Sequence, residues 1–211
     1  MKDYYFDGID AILSSSPAYN KPSQEGLYQH YMELAKHAPK PIIIYNVPGR
    51  TSSNIDAETT LRLAHDSNVF IGIKEAAYDL GQASMILKNK PKDFLVLSGD
   101  DTIALPLLSL GGDGVISVIA NALPEHFSKM IHLGLEGDFK NAAKIHLQLH
   151  DMHQWLYKDG NPAGIKAAMN MMGLCKQDTR LPLVPASKDV FNQLKKELVN
   201  INAIVPDDAI A

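Results

Sequence analysis

Short runs of β-branched and other apolar residues alternate with longer stretches of helical period along the first part of the chain. The apolar runs cover residues 9–13, 42–47, 69–73, 94–97 and 115–118. Between the first two runs, the stretch 25–37 places Leu27 and Tyr31 on one face of a helix. The stretch 56–64, between the second and third runs, has the same helical periodicity. The alternation predicts parallel strands joined by helices.

The pattern changes after residue 118. Helical period then dominates, with Gly and Pro between the segments 124–135, 139–156, 162–172 and 188–198. We therefore expect a partial barrel over residues 1–135 and a C-terminal helical region over residues 136–211 that packs on it. Strand starts lie roughly 20–30 residues apart, near the unit length of an eight-unit barrel, but five units are found. The sequence thus predicts an α/β protein with an incomplete TIM (β/α)8 barrel, and a five-stranded open sheet is the alternative.

Lys74 closes the third apolar run, which has the pattern of a central, buried parallel strand. Partial burial disfavours the ammonium form, lowers the pKa of the amine and leaves a neutral amine that can attack a carbonyl. We therefore predict that Lys74 is a Schiff-base nucleophile. The alternative is a strand-end lysine whose ammonium group reaches solvent and has no chemical role.

Reactive groups in barrels and open parallel sheets lie at the carboxyl ends of the strands. Here the second run ends at Tyr45, with Arg50 shortly after it, and the third ends at Lys74. A tyrosine can relay protons to and from an amine or carbinolamine, and the planar fork of an arginine can bind a carboxylate. These three groups are the parts needed for imine chemistry on an oxo acid.

The composition limits which partners and compartments suit the chain. It has 211 residues and a net charge of -4, with scattered basic residues that give no footprint for nucleic acid or an anionic membrane surface. No apolar run approaches the roughly 20 residues that span a bilayer, and the N-terminus lacks a signal-peptide pattern. A single cysteine, Cys175, agrees with a reducing compartment, so we expect a cytoplasmic protein.

Two further groups of polar residues have a structural interpretation. His146, His150 and His153 lie at helical spacing, but no acidic residue completes a zinc-protease pattern, so we expect a polar helix face and no metal. Asp100 and Asp101 could form a paired-carboxylate site. Aspartate is also a common helix N-cap, and we predict that this pair caps the helix that follows.

Several motifs resemble those of the dihydrodipicolinate synthase family, in the same order and spacing. They are PAYNKPSQEG at 17–26, YNVPGR at 45–50, GIKEA at 72–76, SGDD at 98–101, GVISV at 114–118 and NP at 161–162. The resemblance covers essentially the whole chain and implies a lyase of the pyruvate-dependent class I aldolase superfamily, which includes N-acetylneuraminate lyase. It implies condensation of pyruvate with L-aspartate 4-semialdehyde in lysine and diaminopimelate biosynthesis, through a covalent pyruvate imine and no separate cofactor.

The resemblance also implies roles for individual residues. Lys74 matches the Schiff-base lysine of the family, and Tyr45 matches the acid/base tyrosine beside it. Tyr19 matches the tyrosine that reaches from a partner subunit into the neighbouring active site of a tight dimer. Because the family assembles as dimers of dimers, we expect a homo-oligomer, a homotetramer in the family's form.

Three further positions match residues that contact substrate in the family. Arg50 matches the residue that holds the carboxylate of the aldehyde substrate, Ile116 a strand position whose backbone lies against pyruvate, and Gly99 a glycine beside the site. The sialic acid lyases of the same superfamily usually have a different residue at the position of Arg50, so the arginine favours the synthase. The alternative activity is that of another pyruvate-dependent aldolase acting on a sugar acid.

Two departures from the family pattern change what we expect of this chain. The family's relay threonine belongs to a Thr-Thr-Gly-Glu segment that, with three front strands, would precede Met1. We therefore expect an N-terminally truncated member that contains strands 4–8 of the barrel and has reduced activity, with a catalytically inactive fragment as the alternative. Ala18 stands where many lysine-regulated members have a tyrosine, which predicts weak or absent feedback by lysine.

Overall fold

In the computed structural model, which describes residues 5–205, the first part of the chain forms a parallel sheet of five strands. The strands follow one another in the sheet in chain order: β1 (Ile12–Ser15), β2 (Ile42–Asn46), β3 (Phe70–Glu75), β4 (Leu95–Ser98) and β5 (Gly114–Val115). Five helices connect them: α1 (Gln24–His37), α2 (Pro48–Thr51), α3 (Ala57–Asp66), α4 (Leu80–Asn89) and α5 (Ala104–Ser109). The predicted α/β class with parallel strands is confirmed.

The second part of the chain is helical over the residues that the structure describes. A 3-10 turn at Ile119–Asn121 precedes α6 (Pro124–Leu135), α7 (Phe139–Gln148), α8 (His150–Lys158), α9 (Ala163–Met171) and α10 (Lys188–Asn200). Internal contacts group the chain into two compact units that divide between Ile116 and Ser117. The sequence-based boundary between the partial barrel and the helical region, between residues 135 and 136, stays a prediction. No helix between residues 5 and 205 is both long and apolar enough to cross a membrane.

Most element bounds differ from the prediction by one or two residues, and three elements differ in a way that has a structural reason. The predicted helix 139–156 is two helices, because Leu149 leaves the helical path with φ of -90° and ψ of -4°. The predicted strand 115–118 ends at Val115, since Val118 already has a helical φ of -91° and ψ of -49°. The first strand lies at 12–15 instead of 9–13, because backbone pairing to β2 continues through two serines that a hydrophobic pattern does not count.

Residues of each strand alternate between the two faces of the sheet. On one face, Ile44 and Ile73 are partners in register and lie in a buried core with Leu27 and Tyr31 of α1. The Tyr31 hydroxyl donates a hydrogen bond of 2.9 Å to the carbonyl of Ser14, which ties α1 to β1. The opposite face is therefore the one that can present reactive side chains at the strand ends.

The pairing of β2 with β3 contains one irregularity. Ile43 lies opposite Gly72 instead of Ile71, so Ile71 is an extra residue in β3. Beyond this bulge the pairing is regular and puts Tyr45 opposite Lys74. The bulge thus sets which residue of β3 lies beside the tyrosine.

Candidate active site

The strands β2 and β3 place Tyr45 and Lys74 side by side near their carboxyl ends. The two residues are direct partners in the parallel pairing, so both side chains leave the same face of the sheet. The Nζ atom of Lys74 lies 4.3 Å from the centre of the Tyr45 ring, a distance at which an ammonium group is attracted by the ring. The structure therefore brings together the two residues on which the sequence-based prediction of imine chemistry depends.

Lys74 has the environment of a nucleophilic lysine. Its exposed fraction is 9%, and burial lowers the pKa of its amine, whereas the charge of Asp101 opposes part of this effect. Within residues 5–205, no hydrogen bond or ion pair reaches the Nζ atom, and the Tyr45 ring lies beside it. Lys74 is therefore neutral more often than an exposed lysine would be, and the neutral amine is the form that attacks a carbonyl.

Two charges of opposite sign act on the hydroxyl of Tyr45. Burial raises the pKa of its hydroxyl, Arg50 lowers it, and Asp100 raises it. Arg50 is exposed on α2, and within residues 5–205 it makes no ion pair, so its guanidinium is available to an anion. The arrangement offers a proton-transfer group beside the Lys74 amine and an anion-binding group on α2, which follows the same strand as Tyr45.

Gly99 and Ile116 extend the sheet beyond the ends of β4 and β5. The Gly99 N–H donates a hydrogen bond of 2.7 Å to the Glu75 carbonyl, and the Ile116 N–H donates one of 3.0 Å to the Ser98 carbonyl. A Cβ atom on Gly99 would lie 2.7 Å from the Cβ atom of Ala76, closer than two such atoms approach. Only glycine therefore lets the end of β4 come this close to the end of β3.

Glu75, the neighbour of Lys74, faces the other side of the sheet and was missed by the sequence reasoning. It is 1% exposed and accepts hydrogen bonds from Asn46 Nδ2 (3.0 Å to each oxygen), Gln82 Nε2 (2.9 Å) and the Ala77 N–H (2.7 Å). Burial raises the pKa of the carboxyl, and these hydrogen bonds oppose the change. The strand period is the signal that could have found it, because a residue next to an inward lysine must face the helices.

The loop that follows β4 differs from the prediction. Helix α5 begins at Ala104 with Ile103 as its N-cap and no side-chain cap, so the prediction that Asp100 and Asp101 cap this helix is wrong. The Oδ1 atom of Asp100 instead accepts a hydrogen bond of 2.8 Å from the Thr102 N–H, and Oδ2 accepts one from the Tyr78 hydroxyl. Tyr78 was not singled out, since it lies 22 positions from Asp100 and no local pattern joins two loops.

Tyr19 lies apart from the other predicted site residues. It is in the loop between β1 and α1, has a φ of 75° and is 91% exposed. Within residues 5–205 its ring is therefore not packed against Tyr45 or Lys74. A ring displayed in this way is available to a second molecule.

The prediction that the three histidines form one polar helix face is wrong, because His146 lies on α7, His150 and His153 lie on α8, and His153 is buried. His153 is buried and makes an edge contact with Phe127, with ring centres 6.5 Å apart, and burial lowers the pKa of His146. Among the residues that the structure describes, no group of His, Cys, Asp and Glu side chains is placed to hold a metal ion.

Comparisons with known proteins agree with these features. A profile of the dihydrodipicolinate synthetase family matches residues 2–201. The chain is 51% identical over 195 residues to the 4-hydroxy-tetrahydrodipicolinate synthase of Phocaeicola vulgatus, covering 92% of this chain and 66% of the relative. It is 50% identical over 198 residues to the enzyme of the same name from Parabacteroides distasonis, covering 94% and 67%. The crystal structure of dihydrodipicolinate synthase from Aquifex aeolicus superposes with a TM-score of 0.89 at 40% identity, covering 92% and 67%.

Each match covers a larger fraction of this chain than of the relative. Nearly all of this chain is matched, whereas the chain spans about two thirds of the length of the relatives, 66% and 67% for the two enzymes named above. Every residue discussed in this site lies inside the matched range 2–201.

Proposed function

Since the chain belongs to the dihydrodipicolinate synthetase family, we propose that it binds pyruvate as an imine on Lys74 and condenses it with L-aspartate 4-semialdehyde. The observation that carries this proposal is the pairing of Tyr45 with Lys74, whose Nζ atom lies 4.3 Å from the Tyr45 ring centre. Both relatives described above are named for the synthesis of 4-hydroxy-tetrahydrodipicolinate.

Imine formation is the first proposed step. The neutral amine of Lys74 attacks the ketone carbon of pyruvate, and the carbonyl oxygen takes up a proton. The carbinolamine then loses its hydroxyl group as water, and a C=N bond replaces the C–O bond. Tyr45 is the proposed acid and base for these proton movements, because its hydroxyl keeps its proton through burial and its ring lies beside the amine. Loss of a proton from the methyl carbon converts the imine into an enamine.

Carbon–carbon bond formation is the second step. The enamine carbon attacks the aldehyde carbon of the semialdehyde, and the aldehyde oxygen takes up a proton to become a hydroxyl group. The amino group of the new chain then attacks the imine carbon, which closes the ring and releases the amine of Lys74. Arg50 is proposed to hold the carboxylate of the aldehyde substrate, because it is exposed, acts on Tyr45 through its charge and makes no ion pair within residues 5–205.

The remaining predicted residues surround this chemistry. Gly99 and Ile116 are proposed to offer backbone to pyruvate at the ends of β4 and β5. Tyr19 of the partner subunit is proposed to complete the site in a homo-oligomer built as a dimer of dimers, which its 91% exposure supports. The five strands are proposed to be strands 4–8 of a (β/α)8 barrel over residues 1–135, with residues 136–211 as the helical region, in a cytoplasmic enzyme that needs no separate cofactor.

Borohydride trapping tests the proposal. When pyruvate and borohydride are added together, the reduced adduct should increase the mass of the peptide that contains Lys74. Lys74→Ala should abolish the labelling, and Tyr45→Phe should slow it by about 10²–10⁴-fold, the usual contribution of a positioned proton-transfer group. Arg50→Ala should leave labelling by pyruvate unchanged but weaken the use of the semialdehyde.

Lys90 provides a matched control. It is also largely buried, but its Nζ atom donates a hydrogen bond to the Phe94 carbonyl and lies 3.7 Å from Asp113 Oδ2, so these contacts hold the amine and it should remain unlabelled. Labelling that persists in Lys74→Ala, or labelling on Lys90 as strong as on Lys74, would contradict the proposal. Faster consumption of a sugar acid than of the semialdehyde would assign the same imine chemistry to another aldolase.

A further inference from the structure

The loop after β3 holds a tyrosine in an unusual backbone conformation. Tyr78 has a φ of 59°, in the left-handed region that bulky side chains rarely adopt. The residue is 64% exposed, yet its hydroxyl reaches Asp100, which is 5% exposed, and donates a hydrogen bond to the Oδ2 atom. Conformations of this kind persist where the surroundings fix them, and they cluster at functional sites.

The carboxylate of Asp100 is held on both sides. Its Oδ1 atom accepts hydrogen bonds from the N–H and the hydroxyl of Thr102, at 2.8 and 2.5 Å. The hydroxyl of Ser98 donates to the Asp100 carbonyl at 2.6 Å, which fixes the backbone of the same residue. Within residues 5–205, the hydroxyl of Tyr78 is the donor to the Oδ2 atom. Tyr78 therefore decides how the second carboxylate oxygen is oriented and how much of its charge is neutralised.

The charge of Asp100 acts on Tyr45. The charged and titratable groups that face Tyr45 are Lys74 from β3, Arg50 from α2, Asp100 from the loop after β4 and Tyr78 from the loop after β3. Burial raises the pKa of the Tyr45 hydroxyl, the charge of Arg50 lowers it, and the charge of Asp100 raises it again. A group that changes the charge shown by Asp100 therefore changes the proton affinity of Tyr45.

We propose that Tyr78 is a positioning residue of the active site, whose hydroxyl fixes Asp100 and through Asp100 controls the proton transfers of Tyr45. The inference rests on the proposed function, because it takes Tyr45 to be the acid and base of imine formation. The pKa of Tyr78 is itself raised, by burial and then by the hydrogen bond to Asp100. Tyr78 thus keeps its proton and remains a donor to the carboxylate.

Three variants with distinct expected outcomes test the inference by titration of Tyr45. In protein labelled with ¹³C at the tyrosine Cζ atoms, the signal of Tyr45 is assigned by its absence in Tyr45→Phe. Tyr78→Phe removes the donor, leaves more negative charge near Tyr45 and should move its titration to higher pH. Asp100→Asn removes the charge and should move the titration to lower pH. Tyr78→Phe added to Asp100→Asn should produce no further shift, because Tyr78 acts through Asp100.

The kinetic readout is the single-turnover rate of imine formation with pyruvate. Tyr78→Phe should lower this rate by about tenfold, less than the roughly 10²–10⁴-fold loss of a direct proton-transfer group. The dependence on pyruvate concentration should stay unchanged, since Tyr78 does not contact the substrate in this proposal.

Tyr28→Phe is the matched control. Tyr28 also donates its hydroxyl to an aspartate, Asp66 Oδ2 at 2.8 Å, but does so on α1. This variant should leave the titration of Tyr45 and the rate of imine formation unchanged. The inference is overturned if Tyr78→Phe lowers the thermal stability but leaves the Tyr45 titration in place, or if its shift persists in the Asp100→Asn background. Absence of any Lys74 adduct in the unsubstituted chain would instead remove the proposed function, while the titration would still report whether Tyr78 is linked to Tyr45.

Discussion

Lys74 and Glu75 are neighbours on β3, yet they occupy two chemically different regions. Both are buried, and burial shifts the pKa of each group towards its neutral form. On the face of Glu75, side chains from Asn46 and Gln82 and the N–H of Ala77 donate hydrogen bonds to the carboxylate. On the face of Lys74, the described residues offer the amine the ring of Tyr45 and no hydrogen bond.

The difference shows how one strand can carry structure on one side and reactivity on the other. A buried carboxylate with several donors is held in one place and joins the elements that supply those donors. A buried amine without such partners keeps its lone pair available for part of the time. The proposed reactivity of Lys74 therefore depends on the lack of hydrogen-bond partners for its amine among the described residues, as much as on the lysine itself.

The largest difference in stability should appear when Glu75 and Lys74 are each replaced. Glu75→Ala leaves the Ala77 N–H without its acceptor and removes one acceptor each from the side-chain amides of Asn46 and Gln82, so it should lower the free energy of unfolding by about 3 kcal/mol. Lys74→Met removes a poorly solvated ammonium group without leaving any unpaired donor, so it should change the free energy of unfolding by less than about 1 kcal/mol.

Urea unfolding followed by circular dichroism measures both values. The comparison between the two faces is wrong if Lys74→Met destabilises the chain as much as Glu75→Ala does. Imine trapping should rank the two variants the other way, because Lys74→Met loses the proposed nucleophile whereas folded Glu75→Ala retains it.

A smaller effect is expected where the two faces are joined at the end of β4. In Gly99→Ala, the new methyl group would press on Ala76 and should cost about 2 kcal/mol of the free energy of unfolding, as overpacking does elsewhere. Gly49→Ala, at the start of α2 and with nothing within 4 Å of the added atom, is the control near the same site and should be close to neutral. Equal melting temperatures for the two variants would show that β4 can move away at little cost.

The smallest effect concerns pH. Because the pKa of Glu75 is raised in the folded chain, its contribution to stability is full below the ordinary glutamate pKa and is lost as the pH rises through the folded-state pKa. Glu75→Gln removes this titration, so the stability of the unsubstituted chain relative to the variant should fall as the pH rises through that range. Glu58→Gln, at an exposed position of α3, should show no such trend. An opposite slope would mean that the hydrogen bonds to Glu75 outweigh its burial.

Much of the sheet face that carries Lys74 could be predicted from the sequence. Parallel strands align at their carboxyl ends, so a lysine and a tyrosine that close consecutive apolar runs must lie near each other. The placement of Tyr45 beside Lys74 follows from this rule, and so does the sheet of five parallel strands. These features depend on periodicity along the chain, which the sequence displays directly.

The rest depends on contacts that no local pattern encodes. Glu75 receives donors from β2, α4 and a loop, and Tyr78 meets Asp100 from the loop after another strand. The left-handed backbone of Tyr78 gives no sign in the sequence, because a tyrosine is not a residue that indicates positive φ. The end of α7 at Leu149 also gives no sign in the sequence, since leucine favours helices.

The extra residue in β3 determines where this strand could change in length. Loss of the bulged residue Ile71 would remove the irregularity and leave every pair from Ile43 with Gly72 onwards as it is. Loss of one residue between Gly72 and Lys74 would instead slide the strand by one place, bring Glu75 opposite Tyr45 and turn the lysine towards the helices. An insertion or deletion in this strand therefore keeps the lysine–tyrosine pair only if it lies before Gly72.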